Sequence, residues 1–338
     1  MKNAHSHNKQ IIDQFSKQSV PFTKVQGHLD AIQTLISMSK VQATDRVLDV
    51  ACGPGIVACE FAKVAQQVTG IDVTPAMINV AENRQHELGL VNLFWKQGDA
   101  LSLPFADDYF DVVIARYSFH HLLAPAVALK EMIRVCKPGG RVLVADVAMP
   151  EEKSVHYDQL ELLRDPSHTH ALTESEFDSL YRQSGLVSSQ YTSYSVGLEL
   201  EAQLKASFPN PGDDDRVRSM VINDIGVDSL GIKAQRIGDE VKYSVPIFAY
   251  MWDKSSPRVL WQLWVVTRLS SQAKREAEAS LFLFQDDSQY CAINPAIYAR
   301  CGTCAATGHL RPRLRRTCLG TTTSAACGRY VPGAASSR

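Results

Sequence analysis

Apolar residues recur at helical spacing in two opening stretches, HNKQIIDQFSKQ (7–18) and HLDAIQTLISMS (28–39), which predicts two helices ahead of any strand. The texture then changes. RVLDV (46–50) is a short β-branched run ending in Ala-Cys-Gly-Pro-Gly, and IVACEFAKVAQ (56–66) resumes a helical period: strand, glycine turn, helix. The unit repeats with VTGIDV (68–73) as strand and TPAMINVAENRQHELG (74–89) as helix, opened by Thr74 as N-cap ahead of Pro75 and closed by Gly89 at C′. VNLFWKQ (91–97) and FDVVIAR (110–116) read as the third and fourth strands, APAVALKEMIRVCKPGG (124–140) as a helix stopped by Pro-Gly-Gly, and RVLVADVAM (141–149) as the fifth strand. These runs are apolar enough to be buried on both faces, and strands alternating with helices predict a parallel, doubly wound sheet.

The later pattern is looser. A helix is expected near 153–163, then a loop RDPSHTH (164–170), then a helix over TESEFDSLYRQSG (173–185) with Thr173 and Glu176 as a capping box and Gly185 as its stop. SSQYTSYSV (188–196) reads as a strand, 199–235 as a helical insertion, and EVKYSVPIFAYMWDK (240–254) as the closing strand. The expectation is an α/β fold: a Rossmann-like, mostly parallel sheet of about seven strands, with N-terminal helices and a helical insertion before the last strand. One domain spans 1–254, its core 40–150.

Of 338 residues, 45% are apolar and 21% charged, the balance of a globular protein. No run approaches the roughly 18–20 apolar residues of a membrane span, and the opening residues lack the apolar core of a signal peptide, so a cytoplasmic protein is expected. The formal charge of −1 conceals an asymmetry: from Arg258 onward ten Arg and one Lys face four acids, a balance of +7, which leaves −8 for residues 1–257. The segment 255–338 shows no period and no aromatic interleaving, and is read as an irregular basic tail outside the fold. Two alternatives attach to it, a zinc site from Cys301, Cys304, His309 and Cys318 and a nucleic-acid arm around RPRLRR (311–316); neither is preferred, and no metal is expected. Cys52, Cys59 and Cys136 fall inside predicted elements, as reduced cysteines do.

The chemistry concentrates after the first strand. In Asp49-Val-Ala-Cys-Gly53-Pro-Gly55, two glycines between strand and helix let a ligand reach the backbone at a helix N-terminus. With Ala58 the run also satisfies the dinucleotide fingerprint, so an NAD(P)-dependent oxidoreductase is an alternative. Asp72, 19 residues after Gly53, suits the two hydroxyls of an adenosine ribose in either case. Asp49 separates the readings: an acid just before the turn suits a cationic amino-acid group and is awkward beside a pyrophosphate.

DVACGPG, GIDVT, GDALSLPFADDYFDVV and KPGGRVLVAD, in this order and spacing, resemble the successive motifs of class I S-adenosylmethionine-dependent methyltransferases, most closely the ubiquinone/menaquinone-biosynthesis group. The resemblance is strong over 40–150 and extends in outline over 1–254. It implies S-adenosyl-L-methionine as cofactor, with the Gly53–Gly55 turn at the methionine part and Asp72 and Val73 of GIDVT at the ribose. It further implies Asp99 at the adenine amino group, the Ala100 N–H on the same ring and Arg116 near the methionine carboxylate. Residues 151–254 would then form the acceptor side. A protein that binds the cofactor without catalysis is a further alternative.

Methyl transfer from a sulfonium mainly requires alignment and exclusion of water, and a base only where the acceptor must lose a proton. His120 and His121, after the fourth strand, stand at the ligand-binding edge of such a sheet and are the candidate bases; adjacent histidines usually diverge, so at most one is expected to face the pocket. Arg164, Asp165 and His168 are candidate acceptor contacts, with a structural Arg164–Asp165 ion pair as the plainer explanation of the first two. Phe15 and Phe22 are candidates to cover the cofactor entrance, and Tyr117 and Phe119 are equally placed for core or pocket. The acidic body favours a small-molecule acceptor over nucleic acid.

Overall fold

The computed structural model describes residues 4–21, 31–184, 186 and 188–255. The opening helices are α1 (Ala4–Gln18) and α2 (Ile32–Ser39). The alternation follows as β1 (Arg46–Val50), α3 (Ile56–Ala62), β2 (Gln67–Asp72), α4 (Pro75–Glu87), β3 (Leu93–Gln97), β4 (Phe110–Arg116), α5 (Pro125–Val135) and β5 (Cys136–Val147). Then come α6 (Glu151–Arg164), α7 (Glu174–Ser184), β6 (Ser188–Glu199), α8 (Leu200–Ser207), α9 (Asp213–Asn223), β7 (Gln235–Ile237) and β8 (Glu240–Asp253).

The strands form one open sheet in the order β3-β2-β1-β4-β5-β8-β6, and the three-residue β7 hangs from β8 as a short eighth strand. β1 to β5 are parallel, with Val47 opposite both Val68 and Val112. β8 runs antiparallel to β5 and β6. The order reverses beside β1, so connections leave β1 and β4 toward opposite sides and open a crevice at their carboxyl ends.

Helices cover both faces of the sheet, which is why the central strands do not alternate. Val47, Ile114 and Leu143 pack toward Phe61 of α3 and Leu160 of α6, and Leu48, Val113 and Val144 pack toward Met132 of α5 and Trp252. β6 is a sheet edge, and its exposed Gln190, Ser193 and Ser195 supply the polar surface an unpaired edge needs.

Two local expectations change. Thr74 occupies the N-cap position of α4, but its hydroxyl makes no capping bond; the Thr74 N–H donates instead to Asp72 Oδ1 at 2.8 Å. Pro-Gly-Gly does not stop α5, which ends at Val135; Cys136–Gly140 already belongs to β5, where the pairing with β4 shifts register between Phe110 and Val112. Gly140 is needed there because a Cβ would lie 2.8 Å from the Asp111 carbonyl. The end of α5 is closed by Lys254, whose Nζ donates to the carbonyls of Ile133 and Cys136 and to Asp108. The capping box forms as expected, with the Thr173 N–H on Glu176 Oε2 at 2.8 Å and the Glu176 N–H on Thr173 Oγ1 at 3.3 Å.

Cys52, Cys59 and Cys136 are free and buried, and burial raises all three thiols, Cys59 to about 11 and Cys136 to about 12. Among the described residues no helix is long and apolar enough to cross a membrane. Phe22, Gly185 and the tail with its proposed zinc and basic motifs lie outside the described residues.

Candidate functional site

Two adjoining cavities open at the carboxyl edge of the parallel strands, and Phe15, Tyr117 and His121 line both. The first is built around the turn between β1 and α3. Ala51, Gly53 and Gly55 all have positive φ there, at 54°, 52° and 74°. The two glycines do different work. A Cβ on Gly53 would meet nothing within 4 Å, so its backbone is open to the cavity, whereas one on Gly55 would lie 2.7 Å from the Trp95 ring and 2.9 Å from Ala81 Cβ. Gly55 therefore serves close packing of the turn and is absent from the cavity wall, while Gly53 is part of it.

Asp72 closes the turn. Its Oδ2 accepts from the Gly53 N–H at 2.9 Å and its Oδ1 from Thr74; burial raises the carboxyl and these two donors counter it. Val73, Gly98, Asp99, Ala100 and the buried Arg116 share the same wall, with Arg116 4.1 Å from the centre of the Tyr117 ring. Asp49 lies outside the wall and is 2% exposed; burial carries its pKa to about 8, countered by the Ala58 N–H and raised further by Asp72. Its Oδ2 has no hydrogen-bond partner among the described residues. A buried acid with one oxygen unpaired, beside a glycine backbone left open, suits a ligand that carries an ammonium group, and Asp72 suits a diol.

α1 roofs both cavities. Asn8, Ile11 and Phe15 face the first, and Phe15 and Gln18 the second. Asn8 donates to Asp99 Oδ2 at 2.7 Å, and Gln18 to Asp165 Oδ2 at 2.9 Å. His7 Nε2 is 2.7 Å from the His121 carbonyl, and Gln14 donates to the Ser207 carbonyl.

In the second cavity the two histidines part company chemically without diverging in space. They sit in a single 3₁₀ turn (Phe119–His121) with ring centres 4.2 Å apart, and both reach the cavity, contrary to the expectation that at most one would. The reason is Asp146 of β5. This buried carboxylate accepts from the Ser118 and Phe119 N–H groups at 2.7 Å each, which fixes the turn, and holds His120 Nδ1 at 2.5 Å. Burial would lower His120, but the Asp146 charge and hydrogen bond outweigh it and hold the imidazole above its ordinary range. His121 is pushed well below that range by burial and by His120. At neutral pH His120 is the basic member, its Nδ1 proton committed to Asp146.

Arg164 pairs with Glu161, not with Asp165: Nη2 is 2.6 Å from Glu161 Oε2 and Nη1 donates to Ser207 Oγ at 2.7 Å. Asp165 instead accepts from Ser167 and Gln18 and forms part of the loop's own turn. Arg164, Asp165 and Glu161 line the second cavity, opposite an apolar wall that includes Val147, Val196, Val245 and Ile247. His168 is fully buried behind this cavity, its Nε2 2.7 Å from Asp158 Oδ1. Tyr117, at φ 55°, joins the cavities and places its hydroxyl 3.0 Å from that of Tyr194, while Phe119 is core. A non-glycine residue held in that region where two chambers meet is strain of the kind found at functional sites. Asn8, Gln18, Asp146, Glu161 and Tyr194 were not singled out from the sequence. Only Asp146 left a signal there, as an acid inside an apolar strand.

The oxidoreductase alternative finds no support in the geometry. The single Tyr-x-x-x-Lys spacing, Tyr250 to Lys254, lies at the end of β8, where Lys254 is spent on Asp108 and two carbonyls.

Residues 48–144 match the family described as methyltransferase domain. The chain is 32% identical over 184 residues to the uncharacterized methyltransferase YcgJ of Bacillus subtilis, covering 54% of this chain and 73% of that protein. The crystal structure of YcgJ superposes with a TM-score of 0.63 at 26% identity, over 68% of this chain and 100% of the other. Over shorter spans, the chain is 37% identical to the 2-phytyl-1,4-naphtoquinone methyltransferase of Synechococcus elongatus, across 34% of this chain and 51% of that protein. It is 36% identical to the ubiquinone/menaquinone biosynthesis C-methyltransferase UbiE of Pseudomonas putida, across 35% and 48%. The match therefore spans about half the length of these two quinone-directed relatives.

Proposed function

The chain belongs to the class I S-adenosylmethionine-dependent methyltransferases, and we propose that it methylates a small organic acceptor in the second cavity, at a hydroxyl or at a carbon made nucleophilic by one. The observation that carries this reading is the shared wall of Phe15, Tyr117 and His121, which joins the cavity around the glycine turn to a chamber lined by the histidine that Asp146 holds. The relatives named for quinone substrates agree with an acceptor of this kind.

S-adenosylmethionine supplies, when bound, a methyl group already activated on a sulfonium. Asp72 would hold the ribose hydroxyls, Asp99 and the Ala100 N–H the adenine edge, and Asp49, Gly53 and Arg116 the amino-acid end. Asp146 would hold the Nδ1 proton of neutral His120, which leaves the lone pair on Nε2 to take the acceptor's proton. α1 covers part of both chambers, and Glu161 with Arg164 and Asp165 would orient the polar part of the acceptor. A roofed chamber and a body of acidic charge favour a small molecule over a nucleic acid.

The test is a screen of phenols, enols and hydroquinones for release of S-adenosylhomocysteine by the purified protein, alongside calorimetric titration with S-adenosylhomocysteine alone. Release with a hydroxylated acceptor supports the proposal. Binding of the nucleoside with turnover only on amines or nucleic acid would replace the acceptor class.

A further inference from the structure

Asp99 has one oxygen committed to its own loop: Oδ1 accepts from the Leu101 N–H at 2.8 Å. Oδ2 is the acceptor that remains for a ligand, and Asn8 of α1, 91 residues away, has its amide on it at 2.7 Å. Both residues face the first cavity. The amide orientation follows from chemistry, since an ionised carboxylate only accepts and the Asn8 nitrogen must face it. A carboxylate oxygen takes two donors, so Asn8 leaves Asp99 Oδ2 one place, with its own carbonyl alongside as a second acceptor.

We propose that Asn8 reads the purine of the cofactor together with Asp99, as a specificity residue delivered by the roof helix. An exocyclic amino group offers two N–H hydrogens, one for Asp99 Oδ2 and one for the Asn8 carbonyl; a purine without that group offers neither, which leaves Asp99 Oδ2 with Asn8 as its one donor and the Asn8 carbonyl without the ligand's. The same helix carries Phe15 and Gln18 to the second cavity and is tied there through Gln18 to Asp165 and through Gln14 and Gln18 to the Ser207 carbonyl. Recognition of the amino group thus holds down the element that walls the acceptor chamber. The inference rests on the reading of the first cavity as the S-adenosylmethionine site.

The experiment compares S-adenosylhomocysteine with its 6-deamino analogue by calorimetry on the wild-type chain, Asn8→Ala and Asn8→Asp. Wild type should prefer the amino purine, and Asn8→Ala should shrink that preference by roughly three- to tenfold, the worth of one hydrogen bond. Asn8→Asp, which sets a second carboxylate against Asp99, should bind the amino purine more weakly still. Amide exchange along α1 should slow with S-adenosylhomocysteine and less with the deamino analogue. If Asn8→Ala weakened both ligands equally, Asn8 would be a packing residue and the inference would fail alone. If wild type bound neither ligand, the cofactor reading would fall and take the inference with it.

Discussion

The two cavities share three residues but are built on different plans. The first is made chiefly from strand ends and the turns that follow them, and its carboxylates are oriented by nearby backbone: Asp72 by Gly53 and Thr74, and one oxygen of Asp99 by Leu101. The second is assembled from side chains brought across the fold, with α1 meeting Ser207 at a separation of 193 residues and His120 meeting Asp146 at 26. A backbone-built cradle keeps its shape while side chains change, so it suits a ligand common to many enzymes. A side-chain-built chamber can be re-specified one residue at a time, so it suits an acceptor that differs among relatives.

The sharpest way to break this division is at His120. His120→Ala should lower turnover of an accepted substrate by roughly 10²–10⁴ while leaving S-adenosylhomocysteine affinity nearly unchanged; an equal loss of nucleoside binding would show the two chambers to be one functional unit. On the other side of the wall, Asp72→Asn removes the charge that would receive the ribose hydroxyls, and calorimetry should show nucleoside affinity lower by about 10- to 100-fold. Any residual turnover at saturating cofactor should stay close to that of the wild type.

A third test uses protons. Burial carries Asp49 to about 8 even though the Ala58 N–H and the Arg116 charge lower it. A ligand ammonium that binds beside it favours the ionised form, so binding releases a proton and affinity should strengthen as pH rises from about 6 toward 8, with a slope approaching tenfold per unit. Asn in place of Asp49 should flatten that slope; an unchanged slope would remove Asp49 from the cofactor site.

The smallest effect lies outside both cavities. His170 bridges Asp158 and Glu176, and these hydrogen bonds raise it to about 9. Its folded value exceeds its unfolded one, so its contribution to stability is complete below about 6.5 and is lost as pH rises through 9. Partial exposure keeps the effect modest. Thermal unfolding followed from pH 6 to 9.5 should show a decline for the wild type that His170→Ala lacks.

The same contrast explains what was legible in the chain. Strand runs, the glycine turn and Asp72 are set by neighbours within a few residues, and a reading of spacing places them, while Asp99 was named through the resemblance of its motif. Gly55 was legible as a glycine but not as a packing residue, because its reason is Trp95 and Ala81. The α5 terminus was misplaced because the Pro-Gly-Gly that looks like a helix stop is used as the irregular start of a strand, capped by a lysine 118 residues from Cys136. Asn8 and Gln18 owe their roles to partners 91 and 147 residues away, and local pattern holds no trace of them. The pairing of Arg164 with Glu161 over Asp165 follows from helical geometry: three residues back lies on the same face, one residue on does not.

The buried thiols make the molecule its own clock. Cys52 sits in the glycine turn and borders the first cavity, whereas Cys59 in α3 and Cys136 at the start of β5 are fully shielded, so these two react with a thiol reagent when their part of the sheet opens. Peptide-resolved labelling would therefore time three separate places in one sample. Because Cys52 lines the first cavity, its rate alone should fall when that cavity is filled directly, while Cys136 keeps time for the amino end of the central strand β5.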